Sequence, residues 1–331
     1  MRKILLGDAT DERMLRAAHI CREQNTANIE FIGDPDLIAS AAERDGIHLE
    51  GWYIWSQKTF ADIELYIKEY YLSRQSKVPD FETAHAEVMH DDLLFGALLV
   101  HHGIADGMVA GSLSTSAHVI RAGLRGIGLA PNIRSLSSMF LLNFNSSGKD
   151  FSPFGRTKVL PTEHPILAFA DCAVLVDPDA HQLADIAIST AQTYKQLTGN
   201  EPNVAMLSYS TKGSASSDST KKIILATEIV KEREPNLVID GELQFDAAFI
   251  PSVAERKAPD SPVGGSANVF IFPNLDAGNI GYKIAERLGG AQAIGPILQG
   301  LAKPMNDLSR GASINDIVTM IRVTGVQGIK N

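Results

Sequence analysis

The chain has 331 residues, 44% of them apolar and 21% charged, with 30 Lys and Arg against 39 Asp and Glu for a formal net charge of −9. This is the composition of a folded globular protein, and it excludes disorder, collagen-like repeats and small disulfide scaffolds. The acidic balance also argues against a general nucleic-acid binder, which needs a basic footprint, so an anionic ligand has to be caught by local arginines.

At the start, Met1-Arg2-Lys3-Ile4-Leu5-Leu6-Gly7 gives way to Asp8, Asp11, Glu12 and Arg13 before a signal-peptide core could form, and no apolar run approaches the ~18 residues of a membrane span. The reading is a cytoplasmic protein that begins near Met1 and has no membrane partner. Glu12 to Cys21 predicts a helix, as do the aromatic and charged stretch Phe60 to Ser73 and the apolar run Asp92 to His101, which closes at His101-His102-Gly103. Asn143 to Arg156 is rich in Asn, Ser, Gly and Pro and lacks a period, which predicts a linker and a domain boundary. The length itself predicts two domains at ~150 residues each.

Beyond the linker, Phe169 to Val176, Val204 to Ser210, Leu237 to Asp240 and Ala267 to Phe272 predict strands alternating with helical patterns. That alternation predicts an α/β fold, two α/β domains with mainly parallel sheets and a cleft between them. Between the first two strands, Leu183, Ile186, Ala187, Thr190, Ala191 and Tyr194 recur at helical spacing, with Asp179 placed as N-cap and Gly199 as stop. The two cysteines, Cys21 and Cys172, lie outside metal or redox spacing, as expected for a reducing compartment.

Several standard fingerprints fail at the residues that matter. A Walker loop at Gly148-Lys149 would need Gly at position 143 and Ser or Thr at 150, where the chain has Asn143 and Asp150. Gly123, Gly126 and Gly128 follow no clear strand and lack the third spaced glycine of a dinucleotide site. The histidines form no HExxH pair, no zinc site can be assembled from local spacing, and no GxSxG elbow occurs.

The informative segment is Asn306-Asp307-Leu308-Ser309-Arg310-Gly311-Ala312-Ser313-Ile314-Asn315-Asp316-Ile317. Ile314, Ile317, Val318 and Ile321 predict a helix starting near Ser313, with Asp316 facing away from the core. Ser313 and Asp316 match an imperfect capping box, which is a purely structural account of both. The chemical account is an anion pocket made by Ser309, Arg310 and the free amides of the helix start, with Asp316 as a carboxylate beside a phosphorylated substrate. In Asp276 to Arg287, Ile280, Ile284 and Leu288 share one helical face, while Lys283 and Arg287 make a basic pair that is either a phosphate contact or a solvated face. Ser210 to Ala215 and Asp106 to Ser116 read equally well as ligand-approach loops or plain turns.

Several long runs resemble the phosphotransacetylase (phosphate acetyltransferase) family: FADCAV (169–174), AMLSYSTKGSA (205–215), DGELQFDAA (240–248), KAPDSPVGGSANVFIFPNLDAGNIGYK (257–283) and IGPILQGLAKPMNDLSRG (294–311). GSLSTSAHVIRAGLRGIGL (111–129) is most similar to the short, single-unit enzymes of ethanolamine-utilisation type. It departs from the commoner pattern, roughly HTTADTIRPALQ, at Ser114, His118, Val119 and Ala122, and Ala312 stands where many members have cysteine. The resemblance implies reversible acetyl transfer in acetate metabolism, acetyl phosphate + CoA = acetyl-CoA + phosphate, through a ternary complex in a homodimer. It implies a first domain of residues 1–145 rejoined by about 300–331 and a second of 146–299. It also implies Asp316 as base toward the CoA thiol, Ser309 as its positioning partner and Arg310 as phosphate clamp. Arg74, Arg121, Lys283 and Arg287 are the implied contacts to CoA and phosphate. No cofactor or metal is expected, CoA being a substrate, although stimulation by monovalent cations would fit the family. The alternatives are a phosphate butyryltransferase or broader acyltransferase, and a non-catalytic acetyl-CoA-sensing module.

Overall fold

The computed structural model describes residues 1–144 and 166–329. The chain divides into two compact units, Met1–Pro131 with Leu301–Asn331, and Asn132–Gly300.

In the first unit, strands β1 (Lys3–Leu6), β2 (Asn28–Ile32), β3 (Ile54–Trp55), β4 (Gly107–Ala110) and β11 (Met305–Asp307) form a wholly parallel sheet in the order β11-β4-β1-β2-β3. Ile4, Leu5 and Leu6 are all buried, because a parallel sheet is covered on both faces. Helices α1 (Glu12–Glu23) and α12 (Ile314–Gln327) pack together over β1, β2 and β4, while α5 (Asp92–His101) and α6 (Ser116–Gly126) pack together over β2, β4 and β11. Leu93 to Val100 of α5 are buried without interruption, so this helix is apolar all round rather than amphipathic. Helices α2 (Pro35–Arg44), α3 (Ile63–Ser73) and α4 (Phe81–Met89) complete the unit. Two of the glycines tested for a dinucleotide site lie inside α6, where a Cβ on Gly126 would come within 2.6 Å of Ala97, so they serve helix packing.

In the second unit, β5 (Ser137–Asn143), β6 (Ile166–Ala170), β7 (Asn203–Leu207), β8 (Val238–Leu243), β9 (Val269–Ile271) and β10 (Gln292–Gln299) form a sheet in the order β10-β5-β6-β9-β7-β8. The last four in that order are parallel, and β5 is antiparallel to both neighbours. Helices α7 (Ala180–Thr198), α8 (Asp218–Arg233), α9 (Phe245–Phe249), α10 (Pro251–Lys257) and α11 (Leu275–Arg287) connect them. The α/β class with mainly parallel sheets is thus the observed one.

Two expectations need adjusting. β5 pairs with β6 and β10, so the first boundary falls at Pro131–Asn132 rather than after residue 145; the predicted linker lies, beyond Phe144, outside the described residues. The strand expected over Phe169 to Val176 stops at Ala170, because the Asp171 carboxylate takes the amides of Ala173, Val174 and Leu175 and the Ser138 hydroxyl, folding the chain into a loop instead of a ladder. The apolar face of α11 is not buried: Ile280, Ile284 and Leu288 are 57%, 54% and 68% exposed.

Candidate active site

Strands β11, β4 and β1 lie side by side, and the loop after β11 carries Ser309 and Arg310 and leads into the helix start that holds Asp316. From β1 the chain runs to β2 and β3 on one side, then enters β4 and β11 on the other. The order therefore reverses between β1 and β4, the point at which α/β proteins take ligands at the carboxyl ends of their strands.

Ser309 and Arg310 follow β11 directly. Ala312 N donates to Ser309 O at 2.8 Å and Gly311 N to Ser309 Oγ at 3.2 Å, closing a tight turn with Arg310 at its corner. Ser309 and Arg310 are exposed, and among the described residues the Arg310 guanidinium has no partner. The turn leads into α12, whose cap is the box read from the sequence. Asp316 N donates to Ser313 Oγ at 3.2 Å, and Asp316 Oδ2 accepts from Ser313 N at 2.9 Å and from Ser313 Oγ at 2.8 Å. The capping and chemical accounts of Asp316 are compatible, since these bonds fall on one carboxylate oxygen and the residue is exposed opposite buried Ile317, Val318 and Ile321. The segment's own bonds use the amides of Gly311, Ala312, Ser313 and Asp316. That leaves the first-turn amides of Ile314 and Asn315, with Arg310, for an anion.

Both glycine- and serine-rich loops prove to be filled by carboxylates. In the first unit, Asp8 Oδ2 accepts from the amides of Gly111, Leu113 and Ser114 at 2.8, 3.3 and 3.2 Å, and Asp8 Oδ1 from Ser114 Oγ at 2.6 Å. In the second, Glu242 Oε1 accepts from Gly213 N at 2.8 Å and Ser210 Oγ at 2.9 Å. The departures at Ser114 and His118 are used within the first unit, Ser114 by Asp8 and His118 by Asp91, 3.0 Å from its Nε2.

Asp307, at the end of β11, is buried, and its Oδ1 lacks a hydrogen-bond partner. Burial pushes its carboxyl up to about 6, aided by the charge of Asp8 and opposed by the Ser116 hydroxyl and the Leu308 amide. Gly111, at φ +108°, makes room for it: a Cβ there would lie 2.4 Å from Asp307 Oδ1. With the folded value raised, protonated Asp307 favours folding below its unfolded pKa, and that stability is lost as pH rises through about 6. Asp307→Asn should therefore change stability little near pH ~4 and raise it by up to about 3 kcal/mol near pH ~8, read from urea midpoints. A variant no more stable than the parent at the higher pH contradicts this account.

The remaining candidates are spread more widely. Arg121 is exposed in the second turn of α6, which begins beyond β4 and packs beside β11. Arg74 lines a cavity of about 230 Å³ with Ser73, His101, His102, Arg125 and Gly128. This cavity gathers the carboxyl ends of α5 and α6, so it lies toward the amino-terminal ends of the strands, the end opposite Ser309. Lys283 and Arg287 are exposed on α11 of the second unit, Arg287 Nε standing 3.5 Å from Glu286. Cys172 is buried, and burial pushes its thiol well up, so it packs rather than attacks. Among the described residues no cluster of three His, Cys, Asp or Glu could hold a metal ion. The sequence reading missed Asp8, Asp307 and Arg13; the partners that tie Asp8 and Arg13 to other strand ends lie about a hundred to three hundred positions away, and no local spacing marks them.

An exposed arginine and carboxylate at the strand ends of a doubly wound sheet make this an α/β enzyme suited to an anionic substrate. The phosphate acetyl/butaryl transferase family pattern matches residues 1–325, and the chain belongs to that family of acyltransferases. The phosphate acetyltransferase of Acetivibrio thermocellus is 42% identical over 331 residues, covering 99% of this chain and 94% of the relative. Among solved structures, a phosphotransacetylase from Streptococcus pyogenes is similar at TM-score 0.88 and 40% identity, and the EutD phosphotransacetylase from Staphylococcus aureus at 0.85 and 36%, each covering 99% of this chain and 94% of the other.

Proposed function

We propose that the protein is a phosphate acetyltransferase, interconverting acetyl phosphate and CoA with acetyl-CoA and phosphate. The observation that carries this reading is the Ser309–Arg310 turn feeding directly into the capped helix start at Asp316, all three residues exposed, in a chain of this family. The CoA sulfur attacks the acetyl carbon, the carbon–oxygen bond to phosphate breaks, and the thiol proton passes to Asp316 and then to solvent or to the departing phosphate. Ser309 orients the thiol, and Arg310 balances charge growing on the phosphoryl oxygens. Helix α6 has 11 residues and so spans ~16 Å. Arg121, midway along it, and Arg74, lining the cavity at its far end, bind phosphates of a CoA whose thiol lies at the Asp316 end. Lys283 and Arg287 supply further positive charge for phosphate. CoA is a substrate here rather than a resident cofactor, and a monovalent cation would act only as a stimulant.

The test is phosphate-dependent release of CoA from acetyl-CoA, with butyryl-CoA alongside. Preferential turnover of acetyl-CoA supports the reading. Preference for butyryl-CoA moves the protein to butyryl transfer, and binding of CoA without turnover of either makes it a sensor.

The cytoplasm is the proposed location, with two buried, unpaired thiols in support and no helix among the described residues long and apolar enough to cross a membrane. The proposed assembly is a homodimer, supported by the exposed Ile280, Ile284 and Leu288 stripe of α11, an unusual outward face for a helix with its other side against a sheet. Ile284→Asp alters an already exposed side chain. It should leave the chain folded and halve its mass in light scattering; a monomeric parent or an unchanged variant rules this interface out.

A further inference from the structure

We propose that Arg13 is a positioning residue for the reaction, its guanidinium fixing the main chain on both sides of Gly311 and thereby the placement of Arg310 and of the helix start that carries Asp316. The inference rests on the reading of Ser309, Arg310 and Asp316 as the reacting site. Arg13 lies in the first turn of α1, just after Asp11, the N-cap of that helix. Its five N–H donors make five hydrogen bonds. Nε donates to Asp11 Oδ1 at 3.1 Å and one terminal nitrogen to Asp11 Oδ2 at 2.6 Å, a bidentate grip on the carboxylate. That same nitrogen donates to Ser112 O at 3.0 Å, and the other donates to Arg310 O at 2.9 Å and Ala312 O at 2.8 Å. One side chain from the start of the helix after β1 is thereby joined to the loops after β4 and β11, the three adjacent strands of the switch point.

The pair is ionised and stays so. Burial works against the Asp11 carboxylate, but hydrogen bonds from the Arg13 guanidinium and main-chain amide outweigh it and hold the group below its usual range. One accepting carbonyl belongs to Arg310 itself, whose side chain must meet the phosphate, and the other to Ala312, which directly precedes the Ser313 cap. A turn whose residues 309 to 311 are exposed, with only two internal bonds, depends on outside contacts to hold it, and a displacement of ~1 Å at a reacting group can lower a rate ~100-fold. Lysine cannot replace this arrangement, since three donors on a single nitrogen do not span a carboxylate and three carbonyls in a plane.

The test compares parent, Arg13→Lys and Arg13→Ala. Arg13→Lys should lower kcat roughly 10- to 100-fold while KM for CoA and acetyl phosphate stays within about threefold. Added methylguanidinium should restore Arg13→Ala about tenfold or more by refilling the vacated position. Hydrogen exchange at Gly311, Ala312 and Ser313 should accelerate in Arg13→Lys while the body of α12 keeps its protection. Unchanged kcat in Arg13→Lys, or unchanged exchange at those three amides, overturns the inference. Loss of activity in Arg13→Ala that methylguanidinium does not restore also overturns it. The exchange arm does not depend on turnover, so an inactive parent with accelerated exchange in the variant would sink the proposed function and leave the positioning of this turn by Arg13 standing.

Discussion

Replacing Asp316 with Asn is expected to lower kcat by roughly 10²- to 10⁴-fold, the range for loss of a general base, with KM for CoA and acetyl phosphate changed by no more than about threefold. The substitution separates the two jobs of this side chain. Of the three bonds of the cap, Asp316 Oδ2 accepts two, from Ser313 N and Ser313 Oγ, and the amide oxygen of Asn can accept both as well. The thermal midpoint should therefore hold while the proton acceptor is lost. A thiol is a much weaker acid than a carboxylic acid, so removal of its proton is coupled to attack on the acetyl carbon. A nearby guanidinium eases that removal by favouring the thiolate. Asp316→Asn with parental kcat would remove the base from the scheme, and a raised KM at constant kcat would make Asp316 a binding group.

Arg310→Ala is expected to lower kcat by roughly 10²- to 10³-fold, the magnitude found when one preorganised donor to a developing negative charge is removed. Arg310→Lys should recover only part of this, because a point charge cannot offer two parallel donors to a phosphoryl group. The fold should be indifferent to both changes, since the guanidinium is exposed and has no partner among the described residues. Equal urea midpoints with a large drop in kcat are the expected pair of results. Activity within about tenfold of the parent in Arg310→Ala would mean that another cation does this work.

Local chemistry made parts of the molecule legible in the sequence. The helix from Asp179 to Gly199 has its capping box at one end and a left-handed glycine at the other, because both signals act over a few residues. The Ser313 and Asp316 box was legible for the same reason. Long-range competition hid the rest. Phe169 to Val176 reads as one apolar strand, yet the Asp171 carboxylate binds three amides ahead of it and ends the strand. Arg13 reads as one charge in an Asp-Glu-Arg triplet, and its meaning depends on carbonyls at 310 and 312. The stripe on α11 has the period of a core face, and period alone does not say whether a residue of the same chain covers it.

The first unit is built from both ends of the chain, its sheet edge β11 and covering helix α12 arriving after residue 300. During synthesis, β4 therefore waits with an unpaired edge, and α1 with an uncovered flank, while the whole of the second unit is made. Ser309, Arg310 and Asp316 emerge with the same final segment that closes the sheet. Completion of the fold and assembly of the proposed reactive site are one event, so a nascent chain acquires these groups only when its first unit has ceased to be a liability for aggregation.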